Sequence, residues 1–201
     1  AGQGASGQSN SENTGIGKEA LKDVTTGGLN VAVGKYALNS LTDGDENTAV
    51  GRNAGAALTT GHRNIIIGTN AGDAITSEDD CVLIGKDAGG ALTHTDSNGT
   101  VAVGKDALAS LTNGIGNVAV GYQALDAEVD GDHSTAIGYQ SLTAQTGTSG
   151  TVQNTAVGFK SGLSINTGAQ NTIVGTYAAD ALTDATANVA VGVDALSLIH
   201  I

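Results

Sequence analysis

The residues best suited to chemistry share one column of a repeat. A glycine recurs along the chain, and the residue after it is Lys18, Lys35, Arg52, Lys86 and Lys105, then Tyr122, Tyr139 and Phe159. Aromatic rings can stack on sugars, so Tyr122, Tyr139 and Phe159 form a candidate glycan-contact strip. The alternative is a stacking ladder within the protein or at a chain interface. His62, His94 and His133 sit at unequal offsets from the glycine with no His-x3-His pair, so they do not read as zinc ligands. Asp43, Asp45 and Glu46, the run 77–80, and the run 126–132 put carboxylates on turns, as calcium requires. The acids do not recur copy by copy, however, and the Gly-Gly-x-Gly-x-Asp calcium repeat is absent, so they read as solvated turns. No Gly-x-Ser-x-Gly elbow, Walker loop or clustered cysteine motif occurs. No catalytic residue, metal or cofactor is expected.

The elements that carry this column follow from the repeat. The motif Asn-(Thr/Val)-Ala-Val-Gly recurs with glycines at 17, 34, 51, 68, 85, 104, 121, 138, 158, 175 and 192. The spacing is 17 residues, with one step of 19 and one of 20. Seventeen residues without a 3.6-residue apolar period suit short strands and turns, not a helix pair. The positions one and three before the glycine are β-branched, which places them on one face of a strand. Between them stands Ala in most copies, and Gly15, Ile66, Leu83 or Ile173 in the others. Both faces are therefore apolar. One can fill the interior; the Ala-rich one is expected to need a cover, most simply a neighbouring chain. The glycine itself suits a turn with positive φ or close backbone approach. Seven residues on comes an aliphatic, replaced by Glu128 and Gln145 in two copies, and then a Thr column. Flat Thr ladders can bind ice, but this one is interrupted at Val129 and Asn166.

The fold expected is all-β: a parallel β-solenoid of about eleven 17-residue coils. Stacking lines up Asn30, Asn47 and Asn64, and likewise Asn154, Asn171 and Asn188, as amide ladders. Cys81, Thr100 and Ser134 occupy the same column, so Cys81 reads as a small buried filler. At about 4.8 Å per coil the rod is roughly 50 Å long, with nearest-neighbour energetics.

Composition agrees. With 8 Lys plus Arg against 20 Asp plus Glu, the formal charge of −12 argues against a nucleic-acid binder. No apolar run is long enough to span a membrane. The chain has 39% hydrophobic residues but only five aromatics and no Pro, Met or Trp, so its core is built from small, regular pieces. One cysteine gives no disulfide framework.

"NTAVGRNAGAALTTGHRN" (47–64), "NVAVGYQAL" (117–125) and "STAIGYQSL" (134–142) resemble the repeats of phage tail-fibre and bacterial surface-fibre proteins that lie upstream of endosialidase-type chaperone domains. They are also similar to the coils of trimeric autotransporter adhesin heads. The resemblance covers about residues 13–195. It implies an extracellular, rod-like homotrimer, on a virion tail fibre or a bacterial cell surface, that spaces or presents a recognition tip for host attachment. A cell-surface glycan or other host receptor would be its partner. Residues 1–12 are expected to be an irregular edge. The final hexapeptide, 196–201, matches a translated sequencing-adapter end, so the chain is expected to be a metagenomic fragment of something longer.

Overall fold

The computed structural model describes residues 12–93, 97–147 and 150–197. The protein is an all-β parallel solenoid. Eleven three-residue strands stack in chain order into one sheet: β1 (Thr14–Ile16), β2 (Val31–Val33), β3 (Thr48–Val50), β4 (Ile65–Ile67), β5 (Val82–Ile84), β6 (Val101–Val103), β7 (Val118–Val120), β9 (Thr135–Ile137), β11 (Thr155–Val157), β12 (Thr172–Val174) and β13 (Val189–Val191). A second ribbon pairs β8 (Gly131–Asp132) with β10 (Gly150–Thr151), also in parallel. Each strand pairs with its counterpart one repeat away, so Val33 faces Val50. The longer steps keep the same register, with Ile84 opposite Val103 and Ile137 opposite Val157. The extra residues are thus absorbed outside the main sheet. A coil is numbered here from its strand to the residue before the next one. Coils 7 and 8 are residues 118–134 and 135–154.

The strand faces are assigned the opposite way to the sequence expectation. The Ala-rich positions point inward: Ala32, Ala49, Ala102, Ala119 and Ala136 are fully buried. The β-branched positions point out. The Ala-rich face needs no partner to cover it, because the coil interior is thin. Leucine columns from the opposite wall already reach it, leaving room for a Cβ.

Those leucines were not singled out by periodicity. Four residues after the motif glycine stand Leu21, Leu38, Leu108, Leu125 and Leu142, all buried, each with positive φ between 47° and 52°. Where this column holds Gly55, Gly72, Gly89 or Gly162, a larger residue fills the strand centre nearby. A Cβ on Gly55 would lie 2.8 Å from Ile66 Cδ1, one on Gly72 2.6 Å from Leu83 Cδ1, and one on Gly162 3.1 Å from Ile173 Cδ1. Ala opposite Leu and Ile or Leu opposite Gly are therefore two ways of filling the same volume, as close packing demands.

The left-handed residues also aim the backbone. Tyr36, with φ 63°, donates its N–H back to Lys18 O at 2.9 Å, whereas Leu38 donates forward to Ala54 O at 3.1 Å. The chain can thus turn a corner while its amides keep pairing with neighbouring coils. The motif glycine is required twice over. Gly104 has φ 137°, and a Cβ there would lie 2.3 Å from the carbonyl oxygen of Gly121 in the next coil.

Candidate functional site

The outward strand face is a strip of two β-branched columns running the length of the sheet. Val50 and Ile67 are each 37% exposed, Ile137 40% and Ile65 41%. β4 to β7 carry only Val and Ile in these two columns, whereas β3, β9, β11 and β12 begin with Thr. The strip bears no charged side chain, because the acids and bases all lie beyond its corners.

One corner is the column after the motif glycine. Tyr122 and Tyr139 stack with centroids 5.0 Å apart, Tyr139 and Phe159 stack at 5.3 Å, and Tyr177 meets Phe159 edge-on at 5.3 Å. Coil spacing dictates this: rings on successive coils stand at stacking distance. Ring faces are therefore spent on one another, and what Tyr139 and Phe159 show to solvent is largely ring edge. Lys105 Nζ lies 5.2 Å from the Tyr122 centroid, and Lys160 Nζ 5.4 Å from that of Phe159. Lower down, the basic members are tied locally. Lys86 and Lys105 pair with Asp87 and Asp106, which follow them in sequence, and Lys35 sits over Tyr36 at 4.6 Å. Lys18, Lys86 and Lys105 of the basic stretch are thus each paired with the acid that follows them.

Inside, the Asn column makes a continuous ladder where it is unbroken. Asn47 donates its Nδ2 to Asn30 Oδ1 at 3.1 Å and to Gly61 O at 2.8 Å, and Asn64 repeats this on Asn47 and Glu78 O. Each Oδ1 also accepts the backbone N–H of the next member. Asn154, Asn171 and Asn188 do the same. Between these runs the column holds Cys81, Thr100, Asn117 and Ser134. Cys81 is buried and takes the ladder bond through its N–H, and burial pushes its thiol up to about 11.

The turns form a third column. Asp45 N–H donates to His62 Nδ1 at 3.1 Å, and His62 N–H to Asp79 Oδ1 at 2.7 Å. Arg63 reaches Asp80 at 2.6 Å, an exposed pairing that holds the Asp80 carboxyl below its usual value. The Thr hydroxyls are similarly occupied: Thr42 Oγ1 donates to Thr59 O, and Thr59 Oγ1 to Thr76 O. His62 and His133 do not converge, and His94 lies outside the described residues. Among the described residues there is no cluster of metal-ligating side chains and no pocket.

Sequence reasoning missed the buried acids. Glu78 and Glu128, which fall in the runs 77–80 and 126–132 read as solvated turns, both lie in the core, Glu78 accepting the N–H groups of Thr76 and Ser77. Gln145, read as a break in the aliphatic column, lies in the core beside Glu128. For Glu128 and Gln145 the available signal was that they occupy adjacent coils where the chain lengthens. No family model matches the chain, and neither a curated protein nor a solved structure matches it.

Proposed function

We propose that the chain is a shaft segment of an extracellular fibre, a stiff rod that self-associates side by side to space or present a recognition element. The observation that carries this reading is the uncharged β-branched strip along the rod. An apolar surface this long and regular is a liability on a monomer and a ready interface between copies. The trimeric number, and placement on a phage tail fibre or a bacterial adhesin, come from the resemblance of the repeats. A rod whose backbone bonds run from coil to coil suits a mechanical spacer.

Native mass spectrometry or light scattering of the full chain tests the reading. A stable trimer is expected, reduced to monomer by Ile67→Asp with Ile84→Asp, which charge the centre of the strip. A wild-type chain that stays monomeric at micromolar concentration would overturn it. The second reading, a glycan-binding module, rests on the exposed edges of Tyr139 and Phe159. It requires sugar binding that Tyr122→Ala with Tyr139→Ala abolishes.

A further inference from the structure

Ten coils of one pattern pose a problem of identity. Column by column, coil 7 could stack on coil 9 as readily as on coil 8. Its strand β7 would pair with β11 in place of β9, Gly121 would meet Gly158, and a whole coil would loop out. Skipped or misassembled neighbours are the characteristic failure of repeat proteins.

The interior of coils 7 and 8 distinguishes these arrangements. Glu128 and Gln145 occupy the column that holds Leu111 before them and Ile165 after them, and all four are fully buried. Glu128 Oε1 accepts the N–H groups of Val129 at 2.9 Å and Gly131 at 2.7 Å, within its own coil. Its Oε2 accepts Gln145 Nε2 at 2.6 Å and the Gly147 N–H at 3.2 Å, both from coil 8. Gln145 also splices the amide ladder. Ser134 is too short to take the next rung, so Gln145 Nε2 donates to Ser134 Oγ at 3.0 Å while its Oε1 accepts Asn154 Nδ2 at 2.8 Å. Gly147 lies in the longer coil, whose lengthened turn also makes β10 to pair with β8. A buried carboxylate thus has four donors and, among the described residues, no basic partner, and one of the donors, the Gln145 side-chain amide, has no counterpart in coil 9.

We propose that Glu128 and Gln145 are a register lock, a matched pair that lets coil 7 close only on coil 8. Stacking coil 7 on coil 9 sets the Glu128 carboxylate over Ile165 and removes the Gln145 donor, which no side chain of that column in coil 9 replaces. Stacking coil 6 on coil 8 sets Leu111 over Gln145 and strands its amide. Each skip buries an unsatisfied polar or charged group, which is among the costliest errors a core can hold. A leucine pair would fill the same column with no such penalty and no such discrimination. The lock gives specificity, as a single buried polar residue does in a coiled coil.

The test compares full-length wild type with the Glu128→Leu, Gln145→Leu double variant. Each is refolded from denaturant, pulsed with a non-specific protease and read by intact mass and thermal melting. Wild type should give one resistant species. The double variant should melt no lower, yet the fraction nicked within residues 118–171 should rise by at least about tenfold, because a looped-out coil is an open protease site. A uniformly resistant double variant would overturn the proposal. So would one that simply melts lower without nicks, since the pair would then stabilise without specifying. Glu128→Gln keeps the side chain's volume and guards against a packing failure. It should show the same nicks in smaller amount, and their absence would count equally against the lock.

Discussion

At the residue scale the repeat is held by positions that tolerate no substitution and positions that need each other. Gly104→Ala forces a side chain into a left-handed backbone and onto a carbonyl of the next coil. The expected cost is about 3 kcal/mol or more, read as a lower midpoint in chemical unfolding. Asn47→Ala removes bonds to Asn30 and Gly61 and leaves the Asn64 amides without their acceptor. Since each buried group left unpaired costs about 1–3 kcal/mol, this substitution should cost clearly more than Asn188→Ala, a ladder member that is itself only half-buried. Equal effects in a melting comparison would contradict the ladder's role. Cys81, buried and with a raised thiol value, should resist alkylation at pH 8 in the native rod and label fully in denaturant.

At the scale of the element, the coil is a volume to be filled, and this is where sequence and structure part. The strands, their register and the direction of stacking were legible in the glycine spacing, because parallel in-register pairing makes the period a ruler. The assignment of inside and outside was not. Alternation marks two faces without saying which is the narrow one, and the wall that narrows it is a column of left-handed leucines such as Leu38, a conformation leucine seldom adopts. The compensation between columns gives a test. Gly162→Leu alone should clash with Ile173, whereas adding Ile173→Ala recreates the Ala-and-Leu arrangement of coil 2, since the strand centre of its own coil is already Ala156, and should recover most of the lost melting midpoint. Among the candidate contacts, the aromatic column was legible by position, but that its rings would consume each other's faces follows only from the coil spacing.

Acid response belongs to this scale as well. Burial raises the carboxyls of Asp73 and Asp126, the latter further through Asp106. Such groups take a proton more readily in the rod than in the unfolded chain. They favour folding below their folded values and cease to as pH rises through them. Asp80 and Asp87, held down chiefly by hydrogen bonds from Arg63 and Lys86, behave oppositely. Their contribution is present above the ordinary carboxylate range and is lost as pH falls through their folded values. Mild acidification should therefore raise the melting midpoint slightly before stronger acid lowers it. Asp73→Asn with Asp126→Asn should remove the rise and keep the fall.

At the scale of the whole molecule, the rod is a one-dimensional stack with an apolar strip along its outward strand face. Stability should accumulate coil by coil, so destabilising substitutions in distant coils should add, while those in adjacent coils should couple. The charge of −12 is carried on turns and corners, away from the strip. Side-by-side association through the strip thus leaves the repulsive surfaces facing outward, and added salt should strengthen it modestly by screening what repulsion remains.

The hydrogen bonds between coils lie along the rod, while the covalent chain runs around it. Tension applied at the two ends therefore does not load the peptide backbone until a coil has come away. Each coil that peels releases about 17 residues at roughly 3.4 Å apiece, against a rise of about 4.8 Å in the intact stack. A single failure lengthens the tether locally about twelvefold and leaves the remaining coils intact. A pulled rod would yield in uniform steps, spending work at each, and behave as an expendable damper.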